Sequence, residues 1–171
     1  RINPFEKSIP KSRWDSYYKL VRNNQAFNLV KETVGKTERF LEPQHDLIGK
    51  LQPLVGKGPG LTPLGDDFIL GFLAVMEAID SSRRLPQIWL CSILKTTTDL
   101  SGQAFIHASQ GWFIEQIVEL INNFSKPITS TRLPGLLSLG HSSGTAIAYG
   151  CLIGLRANNL DYYGSASKIL H

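Results

Sequence analysis

Between residues 68 and 79 runs a segment that no surface helix can carry. Phe68, Ile69, Leu70, Phe72, Leu73, Val75, Met76 and Ile79 set apolar side chains around nearly the whole circumference of a helix reaching to about Asp80. Such a helix has to be covered on most sides, so the rest of the chain must supply the elements that wrap it. With 171 residues, at roughly 150 per domain, the chain can build one compact domain of this kind and not two large ones. The run is also well short of the ~20 apolar residues that span a bilayer, as is the second apolar window, Ala146 to Leu155. Both read as core helices rather than membrane segments, and the N-terminus lacks a charged-then-apolar secretory pattern.

The wrapping elements read as helices. Trp14, Tyr17, Tyr18 and Val21 fall at helical spacing, as do Phe27, Val30 and Val34, giving helices near 12–22 and 25–34. A third runs from about Asp46 to Val55 with Leu47, Ile48, Leu51 and Leu54 on its face. Thr62 before Pro63 marks the start of the central helix, with Thr62 as cap and Pro63 at the first helical position. Pro86 opens another helix through Trp89, and Thr96, Thr97 and Thr98 weaken its end. Ser101 is placed to cap a long helix over about 102–124 that carries Phe105, Ala108, Trp112, Ile117, Leu120, Ile121 and Phe124. Leu133 to Leu139 forms a short helix stopped by Gly140. A last helix covers about 144–157, where Gly150 and Gly154, one turn apart, allow close backbone packing. The expected fold is therefore mainly α, a single compact helical domain with Gly-rich turns at helix N-termini. Residues 1–45 form a polar N-terminal helical segment and 46–171 the main helical domain.

Charge and cysteine usage narrow the function classes. The balance of 18 Lys+Arg against 14 Asp+Glu gives a net +4, scattered rather than gathered in a basic, aromatic-laced stripe, which argues against nucleic-acid binding. Cys91 and Cys151 lie in apolar stretches and read as buried thiols of a reducing cytoplasm, with no zinc spacing.

Two turns carry candidate chemistry. Gly56-Lys57-Gly58-Pro59-Gly60-Leu61-Thr62 leads into a helix N-terminus, where free N–H groups and the helix dipole suit a phosphate or carboxylate. Lys57 adds a full charge, Gly58 and Gly60 bring the backbone close, and Thr62 offers a hydroxyl. The plainer reading is a tight connection between buried helices, and the segment is not a Walker loop. Asp66 and Asp67 follow. Neighbours on a helix point about 100° apart, so one of the two is expected to face inward and to need a partner, a metal or a substrate donor. Mg²⁺ bridged to a phosphate is the cation such a pair would take, with Asp66 and Asp67 as its candidate ligands, although two adjacent aspartates are weak evidence of a metal. In the second turn, Gly140 to Thr145, His141 is placed to polarise or move a proton. Ser142, Ser143 and Gly144 there suit an anion, and one of the serines is expected to cap the last helix. Thr97, Thr98 and Ser101 form a third hydroxyl cluster that serves either a ligand or the local backbone. There is no Gly-x-Ser-x-Gly elbow, and His45 and His107 have no motif around them.

Three segments in order are Gly56 to Asp67, then Thr97-Thr98-Asp99-Leu100-Ser101 running on to Gln110-Gly111, then Leu139-Gly140-His141-Ser142-Ser143-Gly144. Their order and spacing resemble the AllH-type family over about residues 46–157. The resemblance implies a subunit of oxamate carbamoyltransferase in anaerobic allantoin breakdown, with carbamoyl transfer between oxalurate and phosphate. It also implies sister subunits, FdrA-like and AllG-like, and a small anionic substrate. From the residues themselves, the expected catalytic groups are His141, Asp66 and Asp67, and the expected substrate or anion contacts are Lys57, Gly58, Gly60, Thr62, Thr98, Ser101, Ser142, Ser143 and Gly144. Members often carry Asp shortly after the third segment, where this chain has Ala146. Members also usually have an extra, partly β-rich N-terminal portion, so with Arg at position 1 a shortened homologue is expected. A homo-oligomer stays open, as do two other readings of the function: a non-catalytic interaction or assembly subunit and a sensor of phosphate metabolites.

Overall fold

A computed structural model describes residues 9–35, 47–81, 85–128 and 132–158. Among these residues there are nine α-helices and no strand. The run of apolar side chains becomes α4, Leu64–Ile79, in which every residue from Leu64 to Met76 is buried. Its principal partner is α9, Ser143–Asn158. Small residues decide how closely the two approach. A Cβ on Gly71 would lie 2.0 Å from the Ile147 carbonyl oxygen, and one on Gly150 would lie 2.0 Å from the Phe68 carbonyl oxygen. The two backbones are therefore in direct contact, as the glycine spacing on α9 predicts.

The remaining helices wrap this pair. α1 (Lys11–Arg22) turns Trp14, Tyr17 and Val21 inward, and α2 (Phe27–Val34) turns Phe27, Val30 and Val34 inward. The Trp14 indole N–H donates to the Leu152 carbonyl of α9 at 2.7 Å. Tyr149 of α9 meets Phe27 and Phe68 edge-on or tilted, with centroids 5.2 and 5.8 Å away. α3 (Leu47–Leu51) runs into a single 3-10 turn, Gln52–Leu54. Leu51 and Leu54 are buried, while the side chains of Leu47 and Ile48, and all of His45, lie outside the described residues. α5 (Gln87–Ile93) follows Pro86 as expected.

The single helix expected over 102–124 is two: α6, Asp99–Ser109, and α7, Glu115–Asn123. The start moves because Thr98, not Ser101, is the cap: its hydroxyl accepts from the Ser101 N–H at 3.2 Å. Ser101 then falls in the first turn, fully buried, and its hydroxyl has no hydrogen-bond partner among the described residues. The break comes from Gly111 at φ +82°. The Gly111 N–H bonds the Ala108 carbonyl and the Trp112 N–H the His107 carbonyl, a Schellman ending. Trp112 consequently projects into solvent, 70% exposed, instead of joining the core. His107 lies exposed in the last turn of α6. α8 is Leu133–Leu137, and Gly140 turns the chain at φ +61° before α9.

The cysteine reading is corrected in half. Cys151 is buried within α9, and burial pushes its thiol up. Cys91 is exposed, because α5 turns Trp89, Leu90 and Ile93 inward and leaves position 91 on its outer face. No helix among the described residues is long and apolar enough to cross a membrane.

Candidate functional site

The glycine turn is shaped by α4 and shapes it in return. Gly56, Gly58 and Gly60 all adopt positive φ, at 73°, 94° and 108°, a region open to glycine at little cost. Space forbids a side chain at Gly56 as well: a Cβ there would sit 2.4 Å from the Thr96 carbonyl oxygen. The turn folds back over the first turn of α4, and the Gly65 N–H donates to the Lys57 carbonyl at 2.9 Å.

This folding-back corrects the expectation that only one aspartate faces inward. Both are buried, Asp66 at 0% and Asp67 at 3% exposure, and their carboxylates diverge. Asp66 Oδ1 accepts from the Gly56 N–H at 2.7 Å, and its Oδ2 accepts from the Thr97 hydroxyl. Asp67 Oδ2 accepts from the Thr62 hydroxyl at 3.2 Å, and Thr62 Oγ1 lies 3.0 Å from Ser143 Oγ at the start of α9. The dipole of α4 is thus met by the chain's own two carboxylates. Because the side chains point to different elements, they do not form a shared ligand set. Among the described residues no three His, Cys, Asp or Glu come together as a metal site would need.

Thr62 does not cap α4. Pro63 holds the cap position with no side-chain bond, since the Thr62 hydroxyl reaches across to Asp67 and Ser143. Thr98, besides capping α6, donates its hydroxyl to the Leu61 carbonyl at 2.7 Å. The three sequence segments therefore converge on residues 61–67: the second through Thr97 and Thr98, the third through Ser143. Lys57, Gly58 and Gly60 are exposed along the turn, and His141 is exposed two residues before Ser143. The Ser142 carbonyl accepts from the Ala146 N–H at 3.0 Å. Gly144 is buried, with its N–H on the Leu139 carbonyl and room for a Cβ only 1.8 Å from the Leu136 carbonyl oxygen. Its amide thus bonds back across the Gly140 turn, and the missing Cβ lets α9 approach the Leu136 backbone closely.

Sequence reasoning placed Thr97 in a hydroxyl cluster but missed that it holds a buried carboxylate, because 31 residues separate it from Asp66. It missed altogether the pair Thr145–Asn24, where the fully buried Thr145 hydroxyl donates to Asn24 Oδ1 at 2.8 Å. No local signal joins positions 121 residues apart.

The two sides of the junction are held by different groups. Asp67 is pushed from the ordinary 3.8 up to about 6 by burial, the largest cause. The Ser143 and Thr62 hydroxyls pull it down in part, and the charge on Asp66 adds to the rise. On the other side, Thr97→Val removes a hydrogen bond to a buried carboxylate while keeping the shape. The variant is expected to unfold with a free energy lower by about 1.5–3 kcal/mol, read from urea denaturation. A loss below a few tenths would mean that Asp66 is held by the Gly56 amide alone.

Among the described residues the fold is wholly helical, and three turns distant in sequence meet at its buried carboxylate–hydroxyl junction. The chain belongs to the AllH family, described as oxamate carbamoyltransferase subunit AllH, whose family model matches residues 54–155. The match opens at the end of the 3-10 turn and closes within α9, so it contains all three converging segments. The description is of a subunit, so the family works within a larger assembly. No solved structure matches the chain.

Proposed function

We propose that this chain is the subunit of an oxamate carbamoyltransferase complex that holds a small anionic metabolite at the junction of the glycine turn, the Thr97-Thr98 bend and the start of α9. The candidates are oxalurate, oxamate and carbamoyl phosphate, exchanged as a carbamoyl group passes between oxalurate and phosphate. The observation that carries the reading is the contact between Thr62 and Ser143, 3.0 Å apart across 81 residues of chain. In it two hydroxyls from separate motifs meet beside a buried carboxylate. In this reading the exposed turn at Lys57, Gly58 and Gly60 receives the anionic end of the ligand. His141, exposed two residues before Ser143, polarises the carbamoyl oxygen as charge develops on it. FdrA-like and AllG-like sister subunits complete the complex in the cytoplasm.

Titration calorimetry of the chain, alone and with its sister subunits, against oxamate and carbamoyl phosphate tests this. Saturable heat is expected with at least one, weakened at least about tenfold in Ser143→Ala, the loss of roughly one hydrogen bond to a charged group. The absence of heat with every ligand, in the chain and in the complex, overturns it.

A second reading has its own observation. Gly65, Gly71, Gly144 and Gly150 each face a backbone carbonyl at a distance no Cβ could share, which is how a helical assembly module is built without any ligand. Under that reading Asp67→Asn and His141→Ala leave the activity of the complex unchanged.

A further inference from the structure

Asp67 stands at the inner end of a chain of hydroxyls. Its Oδ2 accepts from Thr62 Oγ1 at 3.2 Å, and Thr62 Oγ1 lies 3.0 Å from Ser143 Oγ. Asp67 as a residue is 3% exposed, whereas Thr62 and Ser143 are only partly buried. The hydroxyls are therefore the polar link between Asp67 and the surface of the junction.

Each hydroxyl owns one hydrogen. While Asp67 is ionised those hydrogens are drawn inward to it, and the outer side of the pair presents lone pairs that repel an anion. An oxyanion arriving at the junction needs the same hydrogens. Turning them outward strips the carboxylate of its donors and sets a second negative charge beside it. Both changes favour the protonated acid. Once protonated, Asp67 becomes a donor to Thr62, and the chain of hydrogen bonds runs unbroken from the buried acid out to the ligand.

We propose that an oxyanion seated on the Thr62 and Ser143 hydroxyls draws a proton onto Asp67, so that ligand and proton bind to this site together. The inference deepens the function proposed above and rests on it. Its groundwork is already in place, since burial holds Asp67 up at about 6 and only a modest further rise brings it to neutrality. Asp66 shares the turn, but its carboxylate faces Gly56 and Thr97. Lys57 is exposed in the glycine turn and His141 at the entrance of α9. α2, packed on α4, turns its Lys31 to the Tyr149 hydroxyl at 3.0 Å. His141 is thus the rival proton acceptor.

Oxamate is the probe, because its carboxylate stays ionised throughout the range used. Calorimetry near pH 7 in two buffers of different ionisation enthalpy gives the number of protons taken up per oxamate bound. Wild type is expected to take up a fraction approaching one proton, and its affinity to fall by up to about tenfold per unit of pH above 7. By reciprocity the bound ligand raises the affinity of Asp67 for its proton by the same factor. Asp67→Asn is expected to bind with no proton uptake and a flat pH dependence, and His141→Ala to keep the uptake. Thr62→Val, which leaves the carboxylate and breaks the chain, is expected to bind at least about tenfold more weakly, for one charge-assisted hydrogen bond lost. Oxamate binding without proton uptake overturns the inference and leaves the site standing. So does uptake that persists in Asp67→Asn or disappears in His141→Ala. Failure of wild type to bind oxamate at any pH between about 5 and 8, alone or in the complex, removes this inference, and the site reading falls with it when carbamoyl phosphate gives no heat either.

Discussion

Gly150→Ala is expected to destabilise the domain by about 3 kcal/mol or more, although alanine in place of glycine normally strengthens a helix by roughly 0.5–1 kcal/mol. The steric term wins because the methyl group would arrive 2.0 Å from the Phe68 carbonyl oxygen and 3.0 Å from the Phe72 nitrogen. Those are backbone atoms inside a helix and cannot rotate away as a side chain would. To admit the methyl, α4 and α9 must move apart along the crossing that the rest of the domain wraps. Gly71→Ala should behave alike, since it meets the Ile147 carbonyl oxygen at 2.0 Å from the opposite helix. The two changes open the same crossing, so the double variant is expected to cost less than the sum of the singles. Gly135, in α8 with nothing within 4 Å of its would-be Cβ, is the control: Gly135→Ala should be neutral or slightly stabilising. Urea unfolding followed by circular dichroism reads all four. A Gly150→Ala protein as stable as wild type would mean that the backbones of α4 and α9 are not in contact.

That crossing was legible in the sequence, and the contrast with what was not is instructive. An all-round apolar helix and a second helix with glycines one turn apart are local patterns, each readable within about 15 residues, and together they dictate a close-packed pair. The Schellman break at Gly111 was also local, yet the apolar spacing across it imitated one continuous helix. Trp112 kept the helical period of Phe105 and Ala108 while the backbone turned away beneath it. Hydrophobic periodicity records which residues would share a face, not whether the helix persists between them.

The site was legible in its parts and not in its joins. The glycine turn, the threonines and the His-Ser-Ser-Gly turn each announced themselves by composition. What composition does not specify is which hydroxyl answers which carboxylate. Pairing Asp66 with Thr97, and Asp67 with Thr62 and Ser143, depends on where α5, α6 and α9 pack, which is set by burial elsewhere. For the same reason both aspartates can be inward-facing. A helix alone would bury one of two neighbours, but a loop folded over its first turn buries both.

The same burial makes Asp67 a liability to the fold, and Asp67→Asn is expected to show how large. The carboxyl is raised from the ordinary 3.8 to about 6, so the folded chain holds this proton more tightly than the unfolded chain does. Below about pH 4 both states are protonated and the group contributes no difference. As pH rises from about 4 to about 6, the unfolded chain ionises first, and stability falls through that window. Above about 6 the folded carboxylate is ionised too, and the curve levels off with the whole penalty in force. A rise of this size corresponds to roughly 3 kcal/mol. An amide is close in shape to the protonated acid and can still bond the Thr62 and Ser143 hydroxyls, but it carries no charge to desolvate. Asp67→Asn is therefore expected to be more stable than wild type by about 2–3 kcal/mol at pH 7.5, and to converge with it near pH 4. The difference between the two unfolding free energies, measured by urea denaturation at half-unit steps of pH, isolates Asp67 from every other titrating group. A difference that stays constant from pH 4 to 8 would mean that Asp67 ionises in the fold as it does in water. A difference that opens along the expected curve marks a position where the chain keeps a charge at the expense of its stability, and such positions are enriched at functional sites.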